Sequence, residues 1–188
     1  MAILGILAAI VYLVAFTRYV YAMLKAGNRP NRATWLIWAL LGFVLLGSYY
    51  ASGAKDTLPL LLVNQIGMIS VFLLSLKYGQ GGVDKFDIAC LAGAAVSLLS
   101  WAITNNPVYA LMLGITTDFI GALPTIKKAM TKEPNEDKIT WFLFLIGNGI
   151  NFLGSDMSSF SNYIYPLYMT LLCLLIFCLL VKNKHAEK

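Results

Sequence analysis

Arg29-Pro30-Asn31-Arg32-Ala33-Thr34-Trp35 and Glu133-Pro134-Asn135-Glu136-Asp137-Lys138-Ile139-Thr140-Trp141 are the stretches on which the fold turns. Each is a short polar break between two long apolar runs. Each carries Pro-Asn and then a Thr-Trp that opens the next run, with two more residues in the second copy. After each come an apolar run, a polar loop and another run that begins near a proline, Pro59 in one case and Pro166 in the other. Matching order, spacing and surroundings read as an internal repeat.

Working outward from these breaks, seven apolar stretches emerge: 2–24, 34–53, 58–77, 87–104, 107–127, 139–155 and 162–181. Each approaches the roughly 20 residues that a helix needs to cross a bilayer. Backbone groups in lipid must be satisfied within the segment, so these spans are expected as helices rather than barrel strands. Hydrophobic residues make up 59% of the chain and charged residues 12%, against about 25% charged in a soluble domain. That leaves too little polar surface to wrap a soluble fold, and no hydrophilic block is long enough to fold alone. The run from Ala2 to Leu24 lacks a basic leader and a cleavage pattern, so it is read as a span that stays. The expected fold class is therefore an all-α integral membrane protein with seven transmembrane helices.

Positive charge orients the spans. Lys25, Arg29 and Arg32 follow span one, and Lys77 and Lys85 follow span three. Lys127, Lys128, Lys132 and Lys138 follow span five, and Lys182, Lys184 and Lys188 lie in the tail. All fall on one side, and the other side receives Lys55 alone. The positive-inside rule puts the N-terminus outside and the C-terminus in the cytoplasm. Short tails without a sorting signal suggest a prokaryotic inner membrane. The net charge of +5 is mostly this asymmetry, and dispersed lysines give no footprint for nucleic acid.

Spans one to three and five to seven share one orientation because a single span joins them. The chain then divides into a first three-helix unit (1–80), a linker helix (81–105) and a second unit with a short basic tail (106–188). That is a parallel repeat about an axis along the membrane normal, with the solute site expected near the midplane where the units face each other.

Span five reads Thr116-Thr117-Asp118-Phe119-Ile120-Gly121-Ala122-Leu123-Pro124-Thr125, and span three contains Val63-Asn64-Gln65-Ile66-Gly67. With the three-one-three topology, these segments make the chain resemble the SWEET and PQ-loop superfamily of small transporters. Leu123-Pro124-Thr125 is similar to its Pro-Gln helix end, with Thr125 in place of glutamine, while the first unit has Tyr19-Val20-Tyr21 there. Asp118 to Gly121 is similar to the acidic segment of the family's lysosomal amino-acid exporters. Asn64 matches the asparagine that lines the SWEET sugar pocket, and its counterpart in span seven is Leu171 or Thr170. The resemblance implies transport of a small polar solute, such as a sugar or an amino acid, by alternating access. It also allows a non-transporting receptor on the same fold.

Asp118 lies about eleven residues into its span, near mid-membrane. A carboxylate there costs about 2.5–3.5 kcal/mol on insertion scales, and such groups mark solute or proton paths. Asp118 is expected to couple a proton or bind a cationic group, or else to pair with Arg18 on span one. Asn64, Gln65, Asn148 and Asn151 offer hydrogen bonds to a polar solute or between helices, and Trp38 could stack on the solute. Trp35, Trp141, Trp101, Tyr163 and Tyr165 read as interfacial aromatics. Tyr49 and Pro124 are candidate gates, since a proline inside a helix removes one donor and crowds the preceding turn.

Other chemistries find little support. Cys90, Cys173 and Cys178 sit in apolar runs without disulfide or metal spacing. His185, the single histidine, lies in the tail. Clustered nucleophiles or paired acids are missing, so no enzyme, metal or cofactor is expected. The expected partners are a small solute, protons and the lipid bilayer. Two units in one chain can build a whole site, which leaves both monomer and homo-oligomer open.

Overall fold

A computed structural model describes residues 2–51, 58–104, 107–132 and 135–185. Among these residues it is all-helical, with seven helices: α1 (Ala2–Lys25), α2 (Arg32–Ala51), α3 (Leu58–Tyr78), α4 (Lys85–Ile103), α5 (Pro107–Ala129), α6 (Lys138–Leu153) and α7 (Phe160–His185). The bounds follow the expected runs to within a few residues, because the same apolar side chains that suit lipid propagate a helix until turn chemistry stops it. Four stretches, Ile3–Lys25, Leu61–Tyr78, Val108–Ala129 and Phe160–Lys182, are long and apolar enough to cross a membrane. Arg32–Val44 and Lys138–Leu153 are shorter apolar helices. Large apolar side chains face outward along the helices, with Ile10 54% and Leu99 69% exposed. Water would penalise such a surface, whereas hydrocarbon does not.

The helices pack in a regular pattern. α3 lies against both α1 and α2, and α7 lies against both α5 and α6. Two seams join these groups, α1 against α6 and α2 against α5. Six helices thus close a ring in the order α1, α3, α2, α5, α7, α6, and α4 sits outside it against α5 and α2. The Ser97 hydroxyl donates to the Leu113 carbonyl and accepts from the Thr117 hydroxyl, which fixes α4 to α5.

The densest packing is aromatic. Phe16 and Phe144 meet edge-on at 5.0 Å between centroids, Tyr19 meets Trp35 at 5.0 Å, and Trp38 meets Trp141 at 6.3 Å. Such offset and edge contacts add about 0.5–1.5 kcal/mol per pair beyond buried area. Trp35 and Trp141 are each 1% exposed, so they are core residues and not the interfacial belt expected of them. Trp35 packs against Phe16, Tyr19 and Trp38, and Trp141 against Trp38 and Phe144, so neighbouring rings enclose both indoles. Cys90 and Cys173 are buried as expected, while Cys178 is exposed on α7.

One end of the bundle is polar and tied together. Asn31 precedes α2, and its side-chain oxygen accepts from the Ala33 and Thr34 N–H groups. Asp137 caps α6 in the same way, accepting from Thr140 N–H at 3.1 Å. These caps answer the unpaired donors that every helix start leaves. Arg32 donates to the carbonyls of Ser75, Gly79 and Gly81 at 2.8–3.1 Å, closing the end of α3. Gly27, Gly81 and Gly82 take positive φ in the turns at this end, where a side chain would be strained. All three ion pairs among the described residues lie here: Arg18–Asp137, Lys127–Asp84 and Lys128–Glu136.

Candidate functional site

α5 carries Asp118 at its middle, one turn before the tight crossing with α2. At that crossing Gly121 lets the helices approach, and a methyl there would lie 2.7 Å from the Ile37 side chain. The approach brings the Trp38 indole to the α5 backbone, where its N–H donates to the Asp118 carbonyl at 3.2 Å. The Asp118 side chain points to α7. Its carboxylate accepts from the Tyr168 hydroxyl at 2.8 Å and from the Tyr165 hydroxyl at 3.3 Å. The residue is 1% exposed, and no ion pair involves it among the described residues. Its side chain is therefore held by two phenols.

Beside Asp118 lies a small cavity between α2, α3, α5 and α7. It is lined by Trp38, Gly42, Asn64, Gln65, Asp118 and Tyr165, with Leu41, Leu61 and Met68 as its apolar wall. Room for the centre of a water-sized sphere is about 10 Å³, which is about what one water needs. Gln65 is buried, and its amide N–H donates to the Ala39 carbonyl at 3.0 Å. That bond fixes which way the amide points, since only nitrogen can donate. The side-chain oxygen is left with no partner. It sits over Gly42, where any β-carbon would collide with it.

The structure thus brings Asp118, Asn64, Gln65 and Trp38 together. It does not bring the other expected residues to them. Arg18 pairs with Asp137, through Nε at 2.9 Å and Nη2 at 3.0 Å, so the expected Arg18–Asp118 pair is replaced. The guanidinium lies one turn nearer the polar end, where the α6 cap offers a two-oxygen acceptor that suits its fork. Asn148 is taken up between helices. It accepts from the Tyr12 hydroxyl at 2.5 Å and donates to the Phe144 carbonyl at 2.9 Å and the Cys173 sulfur at 3.3 Å. Asn151 is half-buried one turn on, outside the cavity lining. Pro124 is buried within an α5 that continues past it to Ala129. Tyr49 belongs to α2, but its side chain lies outside the described residues, as does that of Trp101.

Two residues of the site escape a reading by spacing. Tyr165 touches Asp118 rather than standing at the membrane interface, and Tyr168, its closer partner, carries no signal of its own in the sequence. Both sit on α7 around Pro166, three positions apart and hence on one face. That spacing was the available clue, though it identifies no partner on another helix.

At the polar end a second constellation closes the bundle. The Glu136 side chain is 0% exposed and accepts from Lys128 Nζ at 2.6 Å, the Tyr19 hydroxyl at 2.7 Å and the Trp141 indole N–H at 3.2 Å. Lys128 also donates to the Arg29 carbonyl. The Thr125 hydroxyl donates to that of Thr34 at 2.9 Å, tying α5 to α2. Burial would raise the Asp137 acid, but the hydrogen bonds from Arg18 and Thr140 outweigh it and hold the group below the ordinary carboxylate range.

A larger open groove of about 460 Å³ lies between α4 and α5, lined by Ser100, Ile103, Met112 and Thr116 among others. It contains no charged group. Comparisons with protein-family models, curated proteins and solved structures return no significant match.

Proposed function

We propose that this chain is a membrane transporter of a small polar solute that works by alternating access at the seam between two three-helix units. The observation that carries the reading is that Asp118 and Asn64, on helices of the two units, line one cavity. In the proposal all seven helices cross the membrane and the polar end faces the cytoplasm, as the excess of lysine and arginine there supports. Helices α1 to α3 and α5 to α7 form a parallel repeat with α4 as linker, in the manner of the SWEET and PQ-loop superfamily. The packing supports this, because exchanging α1 with α5, α2 with α6 and α3 with α7 carries every ring contact onto another ring contact.

In the cycle we propose, Asp118 is the charged group that a proton or a cationic solute neutralises. Asn64 and Gln65 supply hydrogen bonds, and Trp38 supplies an aromatic wall. The seam holds room for one water and not for a solute. In the proposed cycle this is a closed state, with Lys128–Glu136 and Thr34–Thr125 as the seal at the polar end. A prokaryotic inner membrane suits this arrangement, and either a monomer or a homo-oligomer can house it.

Uptake by the purified protein in proteoliposomes tests the reading, over a panel of sugars, amino acids and amines, with and without a pH gradient. Saturable flux of at least one solute is expected, and Asp118→Asn is expected to abolish its dependence on the gradient. Flux of none of them would sink transport. Saturable binding without flux would mark a receptor on the same fold.

A further inference from the structure

We propose that the solute is an organic amine without a carboxylate, and that its protonated nitrogen sits between the Asp118 carboxylate and the Gln65 side-chain oxygen, against the Trp38 ring. This rests on reading the seam as a solute site. Its warrant is the balance of hydrogen-bonding groups around the cavity. One amide N–H of Gln65 is taken by the Ala39 carbonyl, the indole N–H of Trp38 by the Asp118 carbonyl, and the Tyr165 hydroxyl donates to the Asp118 carboxylate. What the wall presents in excess is acceptors: a buried carboxylate with no cation among the described residues and a buried amide oxygen with no partner. A buried acceptor left unmade costs about 1–3 kcal/mol. A ligand that brings N–H donors and positive charge relieves both groups at once.

Competing solutes fit less well. A sugar offers donors and acceptors in equal measure, and among the lining groups only the Asn64 amide and the second N–H of Gln65 have the capacity to answer its acceptors. An amino acid brings a carboxylate as well, and no Lys or Arg lines the cavity. A bare metal cation needs oxygens on all sides, whereas Leu41, Leu61, Met68 and Trp38 form much of the wall. An ammonium group is about the size of the water that the cavity admits, and an aromatic face beside it is favourable. The rest of the solute would occupy space made as the seam parts.

The test uses the full-length protein in detergent, with binding read by calorimetry and by the shift in Tm. The probes are phenethylamine, its neutral isostere 2-phenylethanol, phenylalanine and sodium chloride. Phenethylamine alone is expected to bind and to raise Tm. Asp118→Asn and Gln65→Leu are each expected to weaken it about tenfold or more, as loss of a hydrogen bond to a charged group does. The free Gln65→Leu protein should be at least as stable as the parent, since an orphaned oxygen is gone; this keeps the test informative if Asp118→Asn does not fold. Equal binding of the alcohol or of phenylalanine would overturn the proposal, and so would unchanged affinity in Gln65→Leu. A Tm shift with sodium that competes with the amine would assign the cavity to a metal ion instead. Flux of a sugar with no amine binding would remove this inference and leave transport standing. Amine binding without flux would do the reverse.

Discussion

Glu136 is a fully enclosed carboxylate whose counterion, Lys128, is 7% exposed. Breaking one partner of such a pair leaves an uncompensated buried charge, which costs about 3–5 kcal/mol. Glu136→Gln is therefore expected to lower stability by about 3 kcal/mol in detergent unfolding, and Lys128→Met added to Glu136→Leu should recover most of it. A double variant as unstable as the single one would show that the three bonds to Glu136, not its charge balance, matter most. Arg18–Asp137 is milder. Its arginine is 32% exposed, so Arg18→Ala should cost about 1 kcal/mol. Because Asp137 is held below the ordinary carboxylate range in the folded protein, its contribution is complete above that range. It is lost as pH falls through the lowered value. Acid titration of stability should thus show a low-pH loss that Arg18→Ala diminishes. At this scale the sequence was partly legible. Depth alone marked Asp118, because an acid so far from both flanks of its apolar run lies away from bulk water. Partners were not legible, since Arg18 can reach along its helix in both directions, and only the fold places Asp137 within its fork.

Among the elements, α2 and α5 approach closely at Gly121, against Ile37 and Trp38. Gly121→Ala should overpack the crossing and cost about 1–3 kcal/mol, and it should disturb the Trp38 bond to Asp118. Near-parental stability with unchanged tryptophan fluorescence would mean that α2 simply slides aside. The helices were largely legible, because apolar length and turn residues act locally. The repeated Thr-Trp was also legible, and it does mark two helix starts. The cap equivalence was not. Four residues before each tryptophan stand Asn31 and Asp137, both capping. The shared Pro-Asn pairs fall at different places, because the longer second loop shifts Asn135 away from the cap. Those two added residues put Glu136 and Asp137 where they reach Lys128 and Arg18, so the difference between the two loops ties this end together.

For the molecule as a whole, the two seams differ. The α1–α6 seam is filled by Tyr12, Phe16, Tyr19, Trp141 and Phe144 and is stapled by Tyr12–Asn148 and Arg18–Asp137. The α2–α5 seam meets at a glycine and borders the cavity. On the proposed transport reading, a disulfide between Ile37→Cys and Gly121→Cys should stop flux, and a reductant should restore it; undiminished flux in the oxidised protein would rule out opening there. The unequal filling also bears on the shape of the motion. Two equal seams would let the halves seesaw. The α1–α6 edge is packed with aromatics and the α2–α5 edge meets at one glycine beside a cavity; on the proposed transport reading this makes a book with a spine, whose covers would part on the Asp118 side. Paired spin labels across α1 and α6 should keep their spacing through the cycle, while labels across α2 and α5 should spread, and a spine that widens as much as the fore-edge would discard the book.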